Sequence, residues 1–305
     1  MSVLTAGETM VLLDPVDDGA FHSGMPLTLR IAGAESNFAV ALARLGVPVA
    51  WVSRLGRDPF GDVIQTALAD EGVDLRHVRR DDARTGLFAK WREGGRSRVV
   101  YYRAASAACR LSPEDVPDEA LDGVRLVHLT GITMAISEGG RDLVLDLARR
   151  AKERRITVVF DPNFRPALPD TPEAAAERQR AVLEHLDWYL CGLEEGNLLW
   201  GTSSAEELAR AIPCDSVIRI GAEGAIVRGE RIPPPRHVDV RDEIGAGDAF
   251  AAGFAYGLLQ VWEPTACVRA ANLIAARALA GTGDWETLPR LDEVERELTA
   301  LAVPE

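Results

Sequence analysis

Lysine is nearly absent from this chain of 305 residues, in which only Lys90 and Lys152 are lysines among 34 basic residues. Neither lies in a G-x-x-x-x-G-K-[ST] loop or in a V-A-I-K strand, so the P-loop and protein-kinase modes of nucleotide binding are excluded. Cysteine is also scarce, because the 4 cysteines are scattered and form no C-x-x-C pair. A zinc site or a disulfide framework is therefore not expected, and the cysteines are predicted to be buried free thiols.

Positive charge and long apolar runs are lacking as well. The formal net charge is −13, which argues against non-specific nucleic-acid binding through clustered cations. No run reaches the roughly 18 apolar residues of a membrane span, and the N-terminus has no basic segment followed by an apolar one. We therefore expect a cytoplasmic protein with neither a nucleic-acid nor a membrane partner.

What the chain does contain is a regular alternation of strand-like and helix-like segments. Strands are predicted at 3–6, 49–55, 126–129 and 157–160, and near 188–191 and 217–220. Helices are predicted at 36–45, 60–71, 140–154, 246–259 and 265–280. This rhythm indicates an α/β fold with three layers, α/β/α, and a mostly parallel sheet.

Two segments, at about 11–31 and 85–103, break that rhythm with short apolar alternation and no helical pattern. They are predicted to form antiparallel strands of a small β-sheet lid, with apolar residues such as Leu87 and Val99 on one face. Because the two segments are separated in sequence, we expect one domain over 1–305 with a discontinuous lid. That apolar face would cover a ligand, contact another subunit, or do both.

The segment Gly245-Ala246-Gly247-Asp248 carries the clearest chemistry. A Gly-Ala-Gly turn before an apolar helix offers unpaired N–H groups at the positive end of the helix dipole, which attract anions. An acid at that point suits the removal of a proton from a hydroxyl that attacks a phosphoryl group. Plain turn chemistry would explain the glycines alone, whereas a dinucleotide fingerprint would need Gly at the position of Phe250. The residues therefore favour a small-molecule kinase.

The same segment, read as Asp242-x-x-Gly245-Ala246-Gly247-Asp248 followed by Ala249-Phe250, resembles the C-terminal signature of the ribokinase-like (PfkB) carbohydrate kinases. The resemblance extends over the whole chain. It includes Gly7-Glu8, Ala32-Gly33-Ala34-Glu35-Ser36-Asn37 and Arg54-Leu55-Gly56-Arg57-Asp58-Pro59-Phe60-Gly61.

The resemblance implies a ribokinase-like fold and a role for each matching residue. Asp248 would be the general base, and the amides from Gly245 through Ala246 and Gly247 to Asp248 would form an anion hole for the phosphoryl group. ATP and Mg²⁺ would be required. Glu195 would face the metal, although Gly192 stands where the family usually has Asn. Asn37 would belong to the sugar site. The expected nucleotide residues are Gly221, Gly224, Gly245, Gly247 and Asn272.

Within the family, Tyr101-Tyr102-Arg103 and Asp161-Pro162-Asn163-Phe164-Arg165 are similar to the 2-keto-3-deoxygluconate kinases. That similarity implies ATP-dependent phosphorylation of the terminal hydroxyl of this acidic sugar, and arginine is the usual bidentate partner of a carboxylate. The implied sugar-contacting residues are Gly33, Phe88 (where a Tyr is common), Tyr101, Arg103 and Arg165.

Several alternatives stay open on sequence alone. Another sugar kinase of the fructokinase type would share the fold and the base, and a non-catalytic sugar-binding protein would share the fold. The galactonate epimer differs from the gluconate by one hydroxyl and is not separated from it. Relatives commonly pair through their lids, so the resemblance also implies a homo-oligomer.

Overall fold

The chain forms two sheets in the computed structural model, which describes residues 1–17, 19–93, 96–165, 171–235, 240, 245–280 and 283–301. The strands are β1 Val3–Ala6, β2 Met10–Pro15, β3 Leu27–Ala32, β4 Val49–Gly56, β5 Val78–Asp81, β6 Leu87–Glu93, β7 Arg96–Tyr102, β8 Leu126–Thr130, β9 Thr157–Asp161, β10 Trp188–Gly192, β11 Asp215–Arg219, β12 Ala225–Val227 and β13 Glu230–Ile232.

The main sheet has the order β13-β12-β11-β10-β9-β8-β1-β4-β5. Every neighbouring pair from β11 to β5 is parallel, whereas β12 and β13 continue the sheet in antiparallel fashion. Parallel strands need crossover connections, and helices provide most of them. The mostly parallel sheet that the sequence predicts is confirmed.

Ten α-helices lie among the described residues: α1 Ala34–Arg44, α2 Pro59–Asp70, α3 Gly131–Ile136, α4 Glu138–Glu153, α5 Pro172–Leu183, α6 Leu193–Trp200, α7 Ala205–Ala211, α8 Ala246–Leu259, α9 Pro264–Leu279 and α10 Leu291–Leu301. None of them is of a length and apolarity that could span a bilayer.

The main sheet is buried on both faces, as its strand sequences show residue by residue. In β10, Trp188 and Leu190 join an apolar cluster with α1, α8 and α9, while Tyr189 and Cys191 join a second cluster with α4 and α5. Alternate residues of a strand point to opposite faces, so the two clusters lie on the two sides of the sheet. The predicted three-layer architecture is confirmed.

The small residues of α8 serve its contact with α9. A Cβ added to Gly253 would lie 2.7 Å from Ala271 Cα, and one added to Gly257 would lie 2.8 Å from Cys267 Cα. The two backbones therefore approach closely only because these positions are glycine. This contact fixes the direction in which the N-terminus of α8 points.

The second sheet, called the small sheet below, has four strands in the order β3-β2-β6-β7. Its two hairpins, β2–β3 and β6–β7, are antiparallel as predicted, but β2 and β6 pair in parallel. The prediction of antiparallel strands throughout is wrong at this pair. Because β2 pairs with β6, the two hairpins, which are distant in sequence, form one continuous sheet.

The apolar residues of the small sheet lie on both of its faces. Leu87 pairs with Tyr102, whereas Val99 pairs with Lys90. Leu87 and Lys90 are three residues apart on one strand, so they point to opposite faces. The prediction that Leu87 and Val99 share a face is therefore wrong.

Candidate active site

The N-terminus of α8 lies at the edge of the main sheet where the parallel strands end. Gly245 precedes the helix with φ of 74°, and a Cβ there would lie 2.1 Å from the carbonyl oxygen of Asp284. Both facts require glycine. The Ala249 amide donates to the Gly245 carbonyl at 2.9 Å, which leaves the amides of Ala246 to Asp248 without helical partners. They present the positive end of the helix dipole to an anion.

Asp248 lies in the first turn of α8 and is 8% exposed. Its Oδ2 accepts a hydrogen bond from Asn37 Nδ2 at 2.8 Å, and its Oδ1 accepts one from Asn163 Nδ2 at 3.3 Å. Burial raises the pKa of Asp248 to about 6, against the lowering effects of the Asn37 hydrogen bond and of Arg165. A carboxyl group whose pKa lies near neutral pH suits the role of a general base.

The two asparagines come from distant parts of the chain. Asn37 lies in the first turns of α1, and Asn163 follows β9 with φ of 43°, where its amide donates to Asp161 Oδ1 at 2.9 Å. Asparagine tolerates this left-handed conformation better than most residues. With both Nδ2 atoms turned toward carboxylates, the buried Oδ1 atoms of Asn37 and Asn163 have no hydrogen-bond partner within the described structure. A buried acceptor left unpaired costs free energy.

A second carboxyl group, that of Asp284, lies beside the first and was not predicted. Its Oδ2 is 3.4 Å from Asn37 Nδ2, the atom that also contacts Asp248. Burial, and then the charge of Asp248, raise the pKa of Asp284 to about 7. No motif surrounds Asp284 in the sequence, and its position depends on the tertiary contact with Gly245.

A cavity of about 660 Å³ opens over these groups. The predicted sugar-contacting residues all line it, namely Gly33, Asn37, Phe88, Tyr101, Arg103, Arg165 and Asp248. One face of the small sheet forms the opposite wall with Met10, Leu12, Phe88 and Tyr101, which pack together as an apolar cluster. The structure therefore brings the N-terminal, central and C-terminal parts of the predicted sugar site together.

The cations of the cavity differ in how they are held. Arg103 donates through Nε to Glu8 Oε2 at 2.8 Å, and Ser106 Oγ donates to Glu8 Oε1 at 2.5 Å. Arg165 is exposed and donates to the Phe164 carbonyl at 3.3 Å. Lys90, which was not predicted, also lines the cavity and lowers the pKa of Asp284.

A second cavity of about 740 Å³ lies on the other side of Arg219, which lines both. Arg219 Nη1 donates to Asp161 Oδ2 at 3.0 Å and to the Gly247 carbonyl at 3.3 Å, and Nη2 lies 3.7 Å from Glu195 Oε2. Burial alone would lower the pKa of this guanidinium, but Asp161 and Glu195 raise it on balance. A fixed positive charge therefore lies one peptide from Asp248, between the two cavities.

The predicted nucleotide residues are only partly at the second cavity. Gly221 lines it. Asn272 donates instead to the carbonyls of Ile232 and Pro233, at 3.2 and 3.1 Å. Gly224 packs against the same segment, since a Cβ there would lie 2.1 Å from the Ile232 carbonyl oxygen. Asp242, the first acid of the motif, lies outside the described residues.

Glu195 lines both cavities and is the carboxylate predicted to face a metal. Its Oε1 accepts from the Phe164 amide at 2.6 Å and its Oε2 from the Gly192 amide at 3.1 Å. Burial and the neighbouring Asp161 raise its pKa. Within the described ranges no group of three His, Cys, Asp or Glu could hold a metal by itself. Mg²⁺ usually keeps several waters and takes one or two carboxylates plus substrate phosphates, so this donor set fits an ion that arrives with a nucleotide.

The chain is similar to known proteins in both sequence and fold. Residues 2–290 match the family described as pfkB family carbohydrate kinase. The chain is 32% identical to a 2-dehydro-3-deoxygluconokinase of Bacillus subtilis, covering 98% of this chain and 96% of that one. It is 34% identical to a 2-dehydro-3-deoxygalactonokinase of Haloferax volcanii, covering 97% and 96%. Its fold superposes on a putative ribokinase II of E. coli in complex with ATP and Mg²⁺, with a TM-score of 0.86, 26% identity and coverage of 98% and 99%.

Proposed function

Because the chain belongs to the pfkB family of carbohydrate kinases, we propose that it transfers the γ-phosphoryl group of ATP to the terminal hydroxyl of 2-keto-3-deoxygluconate. The observation that carries this proposal is the buried Asp248 at the amide end of α8, held by Asn37 and Asn163. The relatives named 2-dehydro-3-deoxygluconokinase and 2-dehydro-3-deoxygalactonokinase, which act on the 2-keto-3-deoxy acids, support the substrate class.

In the proposed reaction Asp248 removes the proton of the sugar hydroxyl. The hydroxyl oxygen bonds to the γ-phosphorus while the bond from that phosphorus to the β–γ bridging oxygen breaks, and ADP leaves. The amides of Ala246, Gly247 and Asp248 face the charge that develops on the phosphoryl oxygens. Asn37 and Asn163 hold the Asp248 carboxylate in place.

Arg219 and Glu195 mark the boundary that the phosphoryl group crosses in this proposal. The nucleotide would occupy the second cavity and the sugar the first, with Arg219 on the wall of both. Glu195 is the carboxylate that would hold a nucleotide-borne Mg²⁺, directly or through water. Bound there, the ion would neutralise charge on the ATP phosphates.

The acidic end of the sugar is assigned to the cationic side of the first cavity. Arg165 is exposed and forms no close ion pair with a carboxylate among the described residues, although its charge lowers the pKa of Asp248. Arg103 is already paired with Glu8, so a substrate carboxylate would share it with that residue. Arg165 is therefore the stronger candidate for reading the carboxylate.

We also propose that 1–305 forms one kinase domain with the small sheet as its lid, and that copies pair through the small sheet. Leu27, Leu29 and Tyr102 are exposed apolar side chains of this sheet. They lie on its face away from the cavity, since Leu29 pairs with Leu13 and Tyr102 with Leu87.

The reaction is tested by ADP release with ATP and Mg²⁺ across 2-keto-3-deoxygluconate, 2-keto-3-deoxygalactonate, fructose, ribose and gluconate. Turnover confined to the 2-keto-3-deoxy acids is expected, and Asp248→Asn should lose about 100-fold or more of kcat while binding sugar within a few-fold of wild type. Turnover by Asp248→Asn at the wild-type rate would contradict the role of the base.

Other outcomes of the same panel point elsewhere. Turnover of fructose or ribose alone would indicate a kinase of the fructokinase type and would remove the carboxylate from the substrate. Sugar binding without ADP release would indicate a protein that keeps the site without catalysis. A difference between the gluconate and galactonate epimers would assign the subfamily.

Arg165→Ala should raise KM for the acidic sugar by about tenfold, because one charge-assisted contact is lost, and leave KM for ATP unchanged. Arg103→Ala should raise the same KM and also lower the melting temperature, because Glu8 would be left buried without its cation. Any neutral sugar that is turned over serves as the control. Equal losses on acidic and neutral sugars would contradict a carboxylate-reading role.

A further inference from the structure

The segment 283–288, called the Asp284 loop, lies between α8, α1 and the small sheet. Its Asp284 carboxyl contacts Asn37 Nδ2 at 3.4 Å. Its Asp284 carbonyl lies where a Cβ on Gly245 would approach to 2.1 Å. The loop therefore touches both the residue that holds the base and the residue that begins the anion-binding helix.

Two contacts tie this loop to β3 of the small sheet. Arg30 Nη1 donates to Glu286 Oε1 at 2.6 Å, and Trp285 Nε1 donates to the Ile31 carbonyl at 3.2 Å. Arg30 also donates through Nε to Asp14 Oδ2 of β2 at 3.1 Å. The guanidinium of Arg30 thus connects the Asp284 loop with the β2–β3 hairpin that forms part of the cavity wall.

The Glu286 carboxylate organises the loop as well as joining it to Arg30. Its Oε2 accepts from the Trp285 amide at 3.2 Å. A Cβ on Gly283, whose φ is 102°, would lie 2.3 Å from the same oxygen, so glycine is required for the carboxylate to fold back over the loop. On the other side Arg44 of α1 donates to the carbonyls of Trp285 and Leu288 at 3.0 and 2.7 Å.

We propose that Arg30 and Glu286 are positioning residues of the sugar site, whose ion pair holds the Asp284 loop so that Asp284 stays against Asn37 beside Asp248. This inference rests on the proposed sugar-kinase function. Neither Arg30 nor Glu286 lines the first cavity, so the pair acts through Asp284 and Asn37. The ion pair also couples the position of the small sheet to the positions of Asp284 and Asp248.

The expected sizes of the effects on stability and on activity distinguish a positioning role for this ion pair from a purely stabilising one. The side chains of Arg30 and Glu286 are 27% and 29% exposed, and such partly exposed ion pairs add little to the stability of the fold. A displacement of a substrate-contacting group by about 1 Å, in contrast, can cost up to about 100-fold in activity. Breaking the ion pair should therefore weaken sugar binding clearly while it changes the melting temperature only slightly.

The test compares Glu286→Gln with Asp14→Asn, which removes the other carboxylate partner of Arg30 and leaves the loop contact intact. Glu286→Gln and Arg30→Gln should each raise KM for 2-keto-3-deoxygluconate by about fivefold, with KM for ATP unchanged. The double variant should be no worse than either single one, because both remove the same contact. Asp14→Asn should keep the wild-type KM.

Three outcomes would overturn the proposal: equal effects in Asp14→Asn and Glu286→Gln, additive losses in the double variant, or equal rises in both KM values. Hydrogen–deuterium exchange provides a readout that needs no turnover. Glu286→Gln should increase exchange in 284–288 and Asp14→Asn should not, and no difference between them would overturn it. If the wild type phosphorylates no sugar, the proposed function fails, while the exchange experiment still decides whether the pair holds the loop.

Discussion

Two buried carboxyl groups share one amide donor at the centre of the site, and burial raises the pKa of both. Asn37 Nδ2 contacts both Asp248 and Asp284. The pKa of Asp284 is raised to about 7 and that of Asp248 to about 6, in both cases mainly by burial. The charge of Asp248 is one of the causes that raise the pKa of Asp284, so the two acids titrate as an interacting pair.

The pH dependence of the reaction follows from Asp248. A general base must be unprotonated, so kcat/KM should be constant at high pH and fall about tenfold per unit below the pKa of about 6. The measurement is a pH profile with 2-keto-3-deoxygluconate at saturating ATP. A profile without a fall between pH 7 and pH 5 would contradict Asp248 as the base.

The same shift makes Asp248 a burden on stability. Its pKa in the folded chain is raised from the ordinary value of 3.8 to about 6. The fold therefore has its full stability below the ordinary pKa, and it loses stability as the pH rises through about 6, because the buried carboxyl must then ionise. Asp248→Asn carries no charge, so it should melt about 3 °C higher than wild type at pH 8. The difference should shrink at pH 5, and an unchanged or larger difference there would exclude this cause.

Gly245 offers a second prediction at the scale of one residue, with Gly201 as its control. Both have positive φ, 74° and 65°, but a Cβ on Gly201 meets nothing within 4 Å, whereas one on Gly245 meets Asp284. Gly201→Ala should cost only about 1 kcal/mol of backbone strain. Gly245→Ala should cost more stability and, by displacing Asp284, lower kcat/KM by about tenfold. Equal losses of activity would contradict the contact.

Among the secondary-structure elements, those with a long apolar run and clear ends were predictable. The predicted bounds of α8, 246–259, agree with the structure because Gly245 ends the preceding turn and the apolar pattern is unbroken. The strands β12 and β13 were not predicted, since each has only three residues and no pattern forms over that length. Also not predicted were the strand β5 and the helices α3, α5, α6, α7 and α10. The parallel pairing of β2 with β6 depends on tertiary structure and carries no local signal.

The site shows the same division between local and distant information. Asp248, Gly245 and Asn37 lie in motifs and could be predicted. Asp284 lies outside any motif and reaches the site through its contact with Gly245. The pairing of Arg103 with Glu8 was likewise invisible, because 95 residues separate the two in the sequence.

The start of α2 is capped by Asp58, which also joins the helix to the segment before β6. Its Oδ1 accepts from the Gly61 amide at 2.9 Å and its Oδ2 from the Thr85 amide at 2.8 Å. Burial alone would raise its pKa, but these amide donors lower it on balance. The stabilisation is thus present above the ordinary pKa and is lost as the pH falls through the folded one.

Asp58→Ala should therefore lower the free energy of unfolding by about 1–2 kcal/mol at pH 7, as loss of a cap does. The loss should become smaller in acid, where the wild-type carboxyl is protonated. Asp62→Ala, on the exposed side of the same helix, is the control and should have almost no effect. Urea unfolding at pH 7 and at a pH well below the ordinary carboxyl pKa of 3.8 measures both, and equal losses at the two pH values would contradict the capping role.

At the scale of the whole molecule, the exposed part of the small sheet that carries Leu27, Leu29 and Tyr102 is the surface proposed to pair copies. Leu29 and Tyr102 there are 43% and 60% exposed. Leu29→Glu should shift the mass measured by light scattering from a dimer or larger species to a monomer, because a charge would be buried at the interface. Val261→Glu, at a site 83% exposed outside the small sheet, should leave the mass unchanged. A monomeric wild type, or equal effects of both variants, would contradict the proposal.

Because lysine is scarce, an amine-reactive reagent can label the wall of the first cavity at a single residue. Lys90 lies on the wall of the first cavity. Lys152 pairs with Asp187, which lies just before β10 and therefore at the end of the parallel strands that is opposite to the cavity. An amine-reactive reagent therefore meets one ε-amine at each end of the molecule besides the chain terminus. Ligand that shields Lys90 and not Lys152 would be read directly as the ratio of two mass shifts. Occupancy of the cavity can thus be followed in the same tube, without an engineered probe.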